Sequence, residues 1–251
     1  MSLNISMLVN WFLTGNPRVG CSIHPLALVL TVGLIYPSAP VHAQADFEGI
    51  WVINPRPGVR GAPSEDEIRY TPAGRAEWER FGAEIDPSFR CIMPGIPRGF
   101  TDPYPIEIIQ QEHQVVILHE YYHQVRRIFM DGRQAPDYWP NTLGGYSTGH
   151  WEGETLVVRT THMSPDNLMD IHGRPFSGAD DTYVIERFTR EGDLLSRIAE
   201  VHDPTYYEAP FVITHEWRFT PDGEIWEYAC DPQFGDVGPG GAIQGGFEGE
   251  P

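Results

Sequence analysis

Short runs that alternate between apolar and polar residues fill the chain from about residue 106 to residue 228. Alternation with a period of two is the pattern of half-buried strands, and turn pairs such as Asp131-Gly132 and Glu152-Gly153 between the runs are typical of hairpins. We therefore predict a first strand at 47–53, followed by strands at 107–110, 114–120, 124–130, 146–151, 155–161, 182–189, 194–202, 212–219 and 224–228.

One helix interrupts this β pattern near the N-terminal side of the chain. Thr71 is a suitable N-cap and Pro72 suits the first helical position, so we expect a helix that ends at about residue 81. About ten short strands with tight turns and a single helix predict an all-β protein. The fold class we expect is an antiparallel, lipocalin-like barrel with one short N-terminal helix.

The two ends of the chain differ in composition from the centre. Residues 1–43 contain an apolar stretch too short for a stable transmembrane helix and then small residues up to Ala43, which predicts a signal peptide. Residues 44–230 would form the barrel domain, and the Gly-rich residues 231–251 are predicted to be disordered. We expect a periplasmic or secreted protein with no stable membrane insertion after cleavage; an uncleaved anchor is the alternative.

Charge restricts the possible partners and mechanisms. The formal net charge is −18, and every basic residue is an arginine. A strongly acidic surface repels nucleic acid and anionic lipid, and the absence of lysine excludes Schiff-base chemistry. Cys91 and Cys230 remain after signal cleavage, and in an oxidising compartment they are expected to form a disulfide.

The sequence His119-Glu120-Tyr121-Tyr122-His123 matches the zinc-peptidase pattern H-E-x-x-H. That chemistry needs a helix, because only there do both histidines lie on one face close enough to share a zinc ion. The surrounding residues are mainly β-branched or aromatic, which favours a strand. We therefore predict a hairpin with its tip at residues 120–123 and no metal site, and keep the zinc peptidase as an alternative.

Other catalytic patterns receive less support. Gly145-Tyr146-Ser147-Thr148-Gly149 spells G-x-S-x-G, but it leads into a predicted strand, whereas a nucleophile elbow needs a strand-to-helix turn. No phosphate-binding loop or dinucleotide fingerprint is found, so no cofactor is predicted.

The candidate catalytic pair is Asp170 and His172, which share one face of an extended segment. Asp170 could orient the imidazole of His172 as a general acid or base. The alternative is a surface loop with an ordinary histidine, since polar loop residues commonly only face water. Paired side chains at 126–127 and at 186–187 also point to opposite faces of their strands, which predicts one Arg–Glu pair inside the barrel. The predicted substrate-binding groups are Glu120, Tyr122, His123, Arg127, Trp139 and Glu186.

Several segments together resemble a family of secreted bacterial β-rich proteins of unassigned function. The most specific of them runs from Trp151 to Val158 (WEGETLVV); the others lie at 49–51, 94–98, 103–107, 127–133, 186–188, 203–204 and 227–230. The resemblance implies export, a β-rich architecture and cysteines at positions 91 and 230. Arg159, Phe176 and Gly178 depart from the usual family pattern, which implies a specialised pocket.

These observations predict an exported barrel that acts on a small, largely apolar, oxygenated molecule. The expected chemistry is cofactor-independent acid–base catalysis of the isomerase, cyclase or lyase kind, with a non-catalytic binding protein of the same fold as the alternative. The identity of the substrate and the oligomeric state do not follow from the sequence.

Overall fold

The computed structural model describes residues 44–54, 64, 67–81, 86–100, 102–166, 168, 170, 173–231 and 235–237. The predicted signal peptide, His172 and most of the predicted C-terminal tail lie outside the described residues. Within this part of the chain, no helix combines the length and the apolar character needed to cross a bilayer.

Nine strands close into a barrel in chain order, with the last strand paired to the first. They are β1 (Gly49–Ile53), β2 (Ile106–Gln110), β3 (Gln114–His119), β4 (Gln124–Phe129), β5 (Tyr146–Glu152), β6 (Thr155–Thr161), β7 (Tyr183–Glu191), β8 (Leu194–His202) and β9 (Phe211–Phe219). The helix α1 (Pro72–Glu79) begins at the N-cap Thr71, whose hydroxyl accepts a hydrogen bond from the Gly74 amide. The predicted all-β barrel with one short helix is confirmed.

One strand pair runs parallel. β4 and β5 pair with Ile128 opposite Ser147 and Phe129 opposite Thr148, while every other neighbouring pair in the barrel is antiparallel. The hairpin predicted at Asp131-Gly132 is therefore wrong, because residues 130–145 instead carry the chain back along the barrel. A turn pair ends a strand, but it does not determine the direction in which the next strand runs beside it.

The predicted last strand is also displaced. Residues 224–228 form no strand, and the extended segment begins at β10 (Ala229–Asp231), which pairs with β11 (Gly235–Val237) in a separate two-stranded sheet. β11 lies within the predicted disordered tail.

The long connections of the barrel meet at one end. The connections between β1 and β2, β6 and β7, and β8 and β9 lie there, whereas the opposite end carries the short turns at 111–113, 153–154 and 192–193. Backbone hydrogen bonds join the long connections, including Thr71 N to Tyr206 O at 3.0 Å and Ile96 N to Leu143 O at 3.0 Å. Hereafter the end of the barrel that carries the long connections is called the loop end.

The side chains that point into the barrel form its core. Alternating residues of each strand are buried, including Trp51, Ile108, Val158, Phe188 and Trp217. From the loop end, residues 94–100 are all buried and insert Phe100 among them. The interior at this level is therefore filled by the protein's own side chains.

Candidate functional site

A cluster of buried charges occupies the barrel beneath Phe100. Glu186 on β7 accepts hydrogen bonds from Arg126 on β4 and from Arg197 on β8, where Arg197 Nε lies 2.6 Å from Glu186 Oε1. All three side chains are buried. Hereafter these three residues are called the interior charge cluster, and they confirm the predicted Arg–Glu pair inside the barrel.

Neighbouring polar groups complete the hydrogen bonding of Arg126. Its Nε donates to Ser147 Oγ at 3.1 Å and its Nη2 to Thr160 Oγ1 at 2.8 Å. Ser147 is the serine of the G-x-S-x-G sequence, and it lies at the start of a strand with its hydroxyl bound to this guanidinium and to Thr160 Oγ1 at 2.9 Å. The geometry thus gives Ser147 a structural partner rather than a base.

The electrostatics of the cluster favour the ionised carboxylate. Burial by itself raises the pKa of Glu186, but attraction to Arg126 and Arg197 outweighs burial and lowers the pKa to about 2. The Phe100 ring covers both cations, with Arg197 Cζ 4.7 Å and Arg126 Cζ 5.3 Å from its centroid. Charge interactions are stronger where water is excluded. The cluster therefore holds together β4, β7, β8 and the inserted segment 94–100.

His119 packs beside the same phenylalanine. Its ring centroid lies 5.6 Å from that of Phe100, and its Nε2 lies 3.6 Å from a carboxylate oxygen of Asp102. Burial lowers the pKa of His119 to about 4, a backbone hydrogen bond with Tyr121 opposes this shift, and the charge of Arg197 adds to it. His119 is therefore neutral at pH 7.

The H-E-x-x-H residues do not form a zinc-peptidase site. They span the end of β3 and a 3₁₀ turn at Tyr121–His123, so the helix that would bring both imidazoles to one metal is replaced by the predicted hairpin tip. His119 is buried, whereas His123 is exposed. Among the described residues, no group of three or more His, Cys, Asp or Glu side chains is placed to hold a metal ion.

Glu120 and His123 instead contact the segment before the second cysteine, and Tyr122 contacts the 3₁₀ turn before the first. Glu120 accepts from the Trp226 amide at 2.9 Å, and His123 Nε2 accepts from the Tyr228 amide at 2.7 Å. The hydroxyl of Tyr122 donates to the Ser88 carbonyl at 2.6 Å. In this structure, three of the predicted substrate-binding groups therefore hold other parts of the chain.

The remaining predicted site residues lie apart from one another. Arg127 lies on the exposed outer face of β4, because Arg126 takes the inward position. Trp139 packs edge-on against Tyr146, with ring centroids 5.0 Å apart, in the connection between β4 and β5. Asp170 is buried and forms an ion pair with Arg174, so its carboxylate already has a cationic partner, while His172 lies outside the described residues.

An open cleft of about 420 Å³ lies at the loop end. It brings together α1, the 3₁₀ turn Pro87–Arg90 with Ile92 after it, the end of the β4–β5 connection and the loop after β6. Among the described residues, five apolar side chains and three charged ones line it: Pro87, Ile92, Leu143, Pro165 and Leu168, with Glu77, Arg90 and Asp166. This size and composition are typical of a site for a small organic molecule, and the mouths of β-barrels commonly hold such sites.

Sequence reasoning missed both the cleft and one of the three residues of the interior charge cluster, Arg197. Arg197 follows the inward alternation of Leu195, Ala199 and Val201, so the period of β8 was an available signal. The lining of the cleft had no such signal, since its residues are distributed from position 77 to position 168.

Comparison with known proteins adds no relative. No protein-family model matches the chain, and a search of the curated proteins finds no match. The fold and the geometry of the site therefore carry the functional argument: the chain is a closed nine-stranded β-barrel with a cleft at its loop end.

Proposed function

We propose that this protein binds a small, largely apolar, oxygenated molecule in the cleft at the loop end of its barrel. The observation that carries the proposal is the cleft itself, in which five apolar side chains supply contact area and three charged ones supply polar recognition. The guanidinium of Arg90 suits a carbonyl or hydroxyl oxygen, and Glu77 and Asp166 suit hydroxyl donors.

We also propose that the protein works outside the cytoplasm. The Cys91–Cys230 disulfide supports this location, because such bonds persist mainly in oxidising compartments. The predicted signal peptide at residues 1–43 supports it independently of the fold.

A matched pair of substitutions tests the binding site with Nile red, a neutral apolar dye that carries a carbonyl oxygen. Ile92 lines the cleft, whereas Ile198 is exposed on the barrel wall, on β8. We expect Ile92→Glu to weaken dye binding about 10-fold or more, since an isoleucine contact contributes roughly 1.5–3 kcal/mol. Ile198→Glu should leave the dissociation constant unchanged, and equal weakening by both substitutions would locate the site elsewhere.

Catalysis is the second candidate function, and the two carboxylates in a partly apolar cleft favour it. Glu77 and Asp166 could act as acid and base on a bound ligand, and His172 follows the cleft residue Leu168 by only four positions in the sequence. Compounds selected by thermal shift would be incubated with the protein and analysed by mass spectrometry. Conversion that is lost in Asp166→Asn or His172→Ala supports an enzyme, and recovery of unchanged ligand supports a binding protein.

A further inference from the structure

The interior charge cluster has one hydrogen-bonding group that the described residues do not satisfy. Arg197 is completely buried; its Nε is bound to Glu186, and its Nη1 lies 3.2 Å from Nδ1 of His215. Among the described residues, its Nη2 has no hydrogen-bond partner. Buried guanidinium groups are almost always satisfied, because an unmade hydrogen bond of a buried charged group is costly.

A second unsatisfied atom lies against the same aromatic ring. His119 is also buried, and its Nδ1 has no hydrogen-bond partner among the described residues. Both side chains pack on Phe100, where Arg197 Cζ is 4.7 Å from the ring centroid and the imidazole centroid is 5.6 Å from it. Two buried side chains that each carry an unsatisfied polar atom therefore pack on one ring inside the barrel.

The charge of the cluster indicates what this site would bind. Two guanidinium groups face one carboxylate, so Arg126, Glu186 and Arg197 together carry a net charge of +1. The next carboxylate, Asp102, does not belong to this cluster and lies 3.6 Å from Nε2 of the neutral His119. A buried excess of positive charge favours a negatively charged acceptor over a neutral one, since electrostatic attraction is strong where water is excluded.

We propose that Arg197 Nη2 binds one small monovalent anion of halide size inside the barrel, in a site separate from the loop-end cleft. The anion accepts the N–H groups that the protein leaves unused, and it neutralises the interior charge cluster. Phe100 covers the cluster and keeps bulk water away. The interior of this barrel is thus an ion-binding core rather than a second pocket for an organic ligand.

A crystal of the unmodified protein grown in sodium bromide tests the position directly. We expect an anomalous bromine peak within hydrogen-bonding distance of Arg197 Nη2. An ordered water molecule or a chain atom bound to Nη2, without a bromine peak, would overturn the proposal. This measurement requires no substitution, so it does not depend on a variant that folds.

Thermal unfolding provides a second readout in solution. Bromide replaces gluconate at constant ionic strength, and we expect a saturable rise in Tm of about 2–4 °C for each kcal/mol of binding energy. Arg197→Met should abolish the rise, whereas Arg187→Met should retain it, because Arg187 pairs with Glu152 at the exposed surface and does not belong to the interior charge cluster. An equal bromide effect in Arg197→Met and the unmodified protein contradicts the proposal.

Discussion

At the scale of single residues, Glu186 connects more of this barrel than any local motif would indicate. Its carboxylate binds side chains from β4 and β8, so one residue on β7 joins strands that are distant in sequence. The attraction of two arginines exceeds the penalty of burying the carboxylate, and the pKa of Glu186 falls to about 2. The stabilisation therefore depends on charge balance rather than on apolar contact.

Loss of that charge should destabilise the protein strongly. Glu186→Gln leaves two buried arginines without a counter-charge, and we expect the free energy of unfolding to fall by about 3–5 kcal/mol. Urea denaturation measures the change. Glu152→Gln is the matched control, because Glu152 pairs with Arg187 at the exposed surface and such pairs contribute about 0–1 kcal/mol.

His119 should give the unfolding free energy a distinct pH dependence. The pKa of its imidazole is about 4 in the folded protein, against 6.5 for a free histidine, because burial disfavours the charged form. The stability that the protein has with a neutral His119 is fully present above pH 6.5. It is lost as the pH falls towards 4, because between these two pH values the imidazole takes up a proton in the unfolded chain but not in the folded protein.

The substitution His119→Gln should remove this dependence. Between pH 7 and pH 5 we expect the unmodified protein to lose about 2 kcal/mol more than the variant does, measured by urea denaturation at both pH values. His113→Gln, in the exposed turn between β2 and β3, should behave like the unmodified protein. A variant with the same pH dependence as the unmodified protein would show that His119 is not responsible.

At the scale of elements, α1 is held against the barrel by an unusually close approach. A Cβ atom placed on Gly74 would lie 2.1 Å from the carbonyl oxygen of Tyr206, in the connection between β8 and β9. Helix propensity alone would favour alanine at this position. Close packing determines the residue instead, and it positions Glu77 of the same helix at the cleft.

Gly74→Ala should therefore destabilise the protein although it improves helix propensity. We expect the free energy of unfolding to fall by about 1–3 kcal/mol, because the helix must move away from Tyr206. Gly144→Ala is the matched control, since no atom lies within 4 Å of its Cβ position; its effect should stay within about 0.5 kcal/mol. Thermal or urea unfolding of both variants measures the difference.

At the scale of the whole molecule, one covalent bond joins the cleft to the C-terminal segment. The Cys91–Cys230 disulfide links residues 139 positions apart, and Cys91 lies between the cleft residues Arg90 and Ile92. Beside it, Tyr104, Tyr121 and Tyr228 form a small aromatic cluster of their own. The disulfide therefore connects the wall of the cleft at Arg90 and Ile92 to the C-terminal segment, which Glu120 and His123 bind at Trp226 and Tyr228.

Loss of the disulfide should destabilise the entire domain. The chain-entropy model predicts a decrease of about 4–5 kcal/mol for a loop of this length. A reductant should lower the urea midpoint of the unmodified protein and leave that of the double variant Cys91→Ser/Cys230→Ser unchanged. If the reductant lowered both midpoints equally, its effect would not come from this bond.

The sequence by itself determined the local structure. The period of two along β2 to β9, the capping residues of α1 and the two cysteines that follow a predicted signal peptide are properties of neighbouring residues or of composition, so strands, helix and disulfide were predictable. Only the tertiary structure decided that Arg126 rather than Arg127 faces inward and that β4 and β5 run parallel. It also decided that a few residues from separate segments between positions 77 and 168 line one cleft. These features depend on strand register and barrel closure, which bring together residues that share no local pattern.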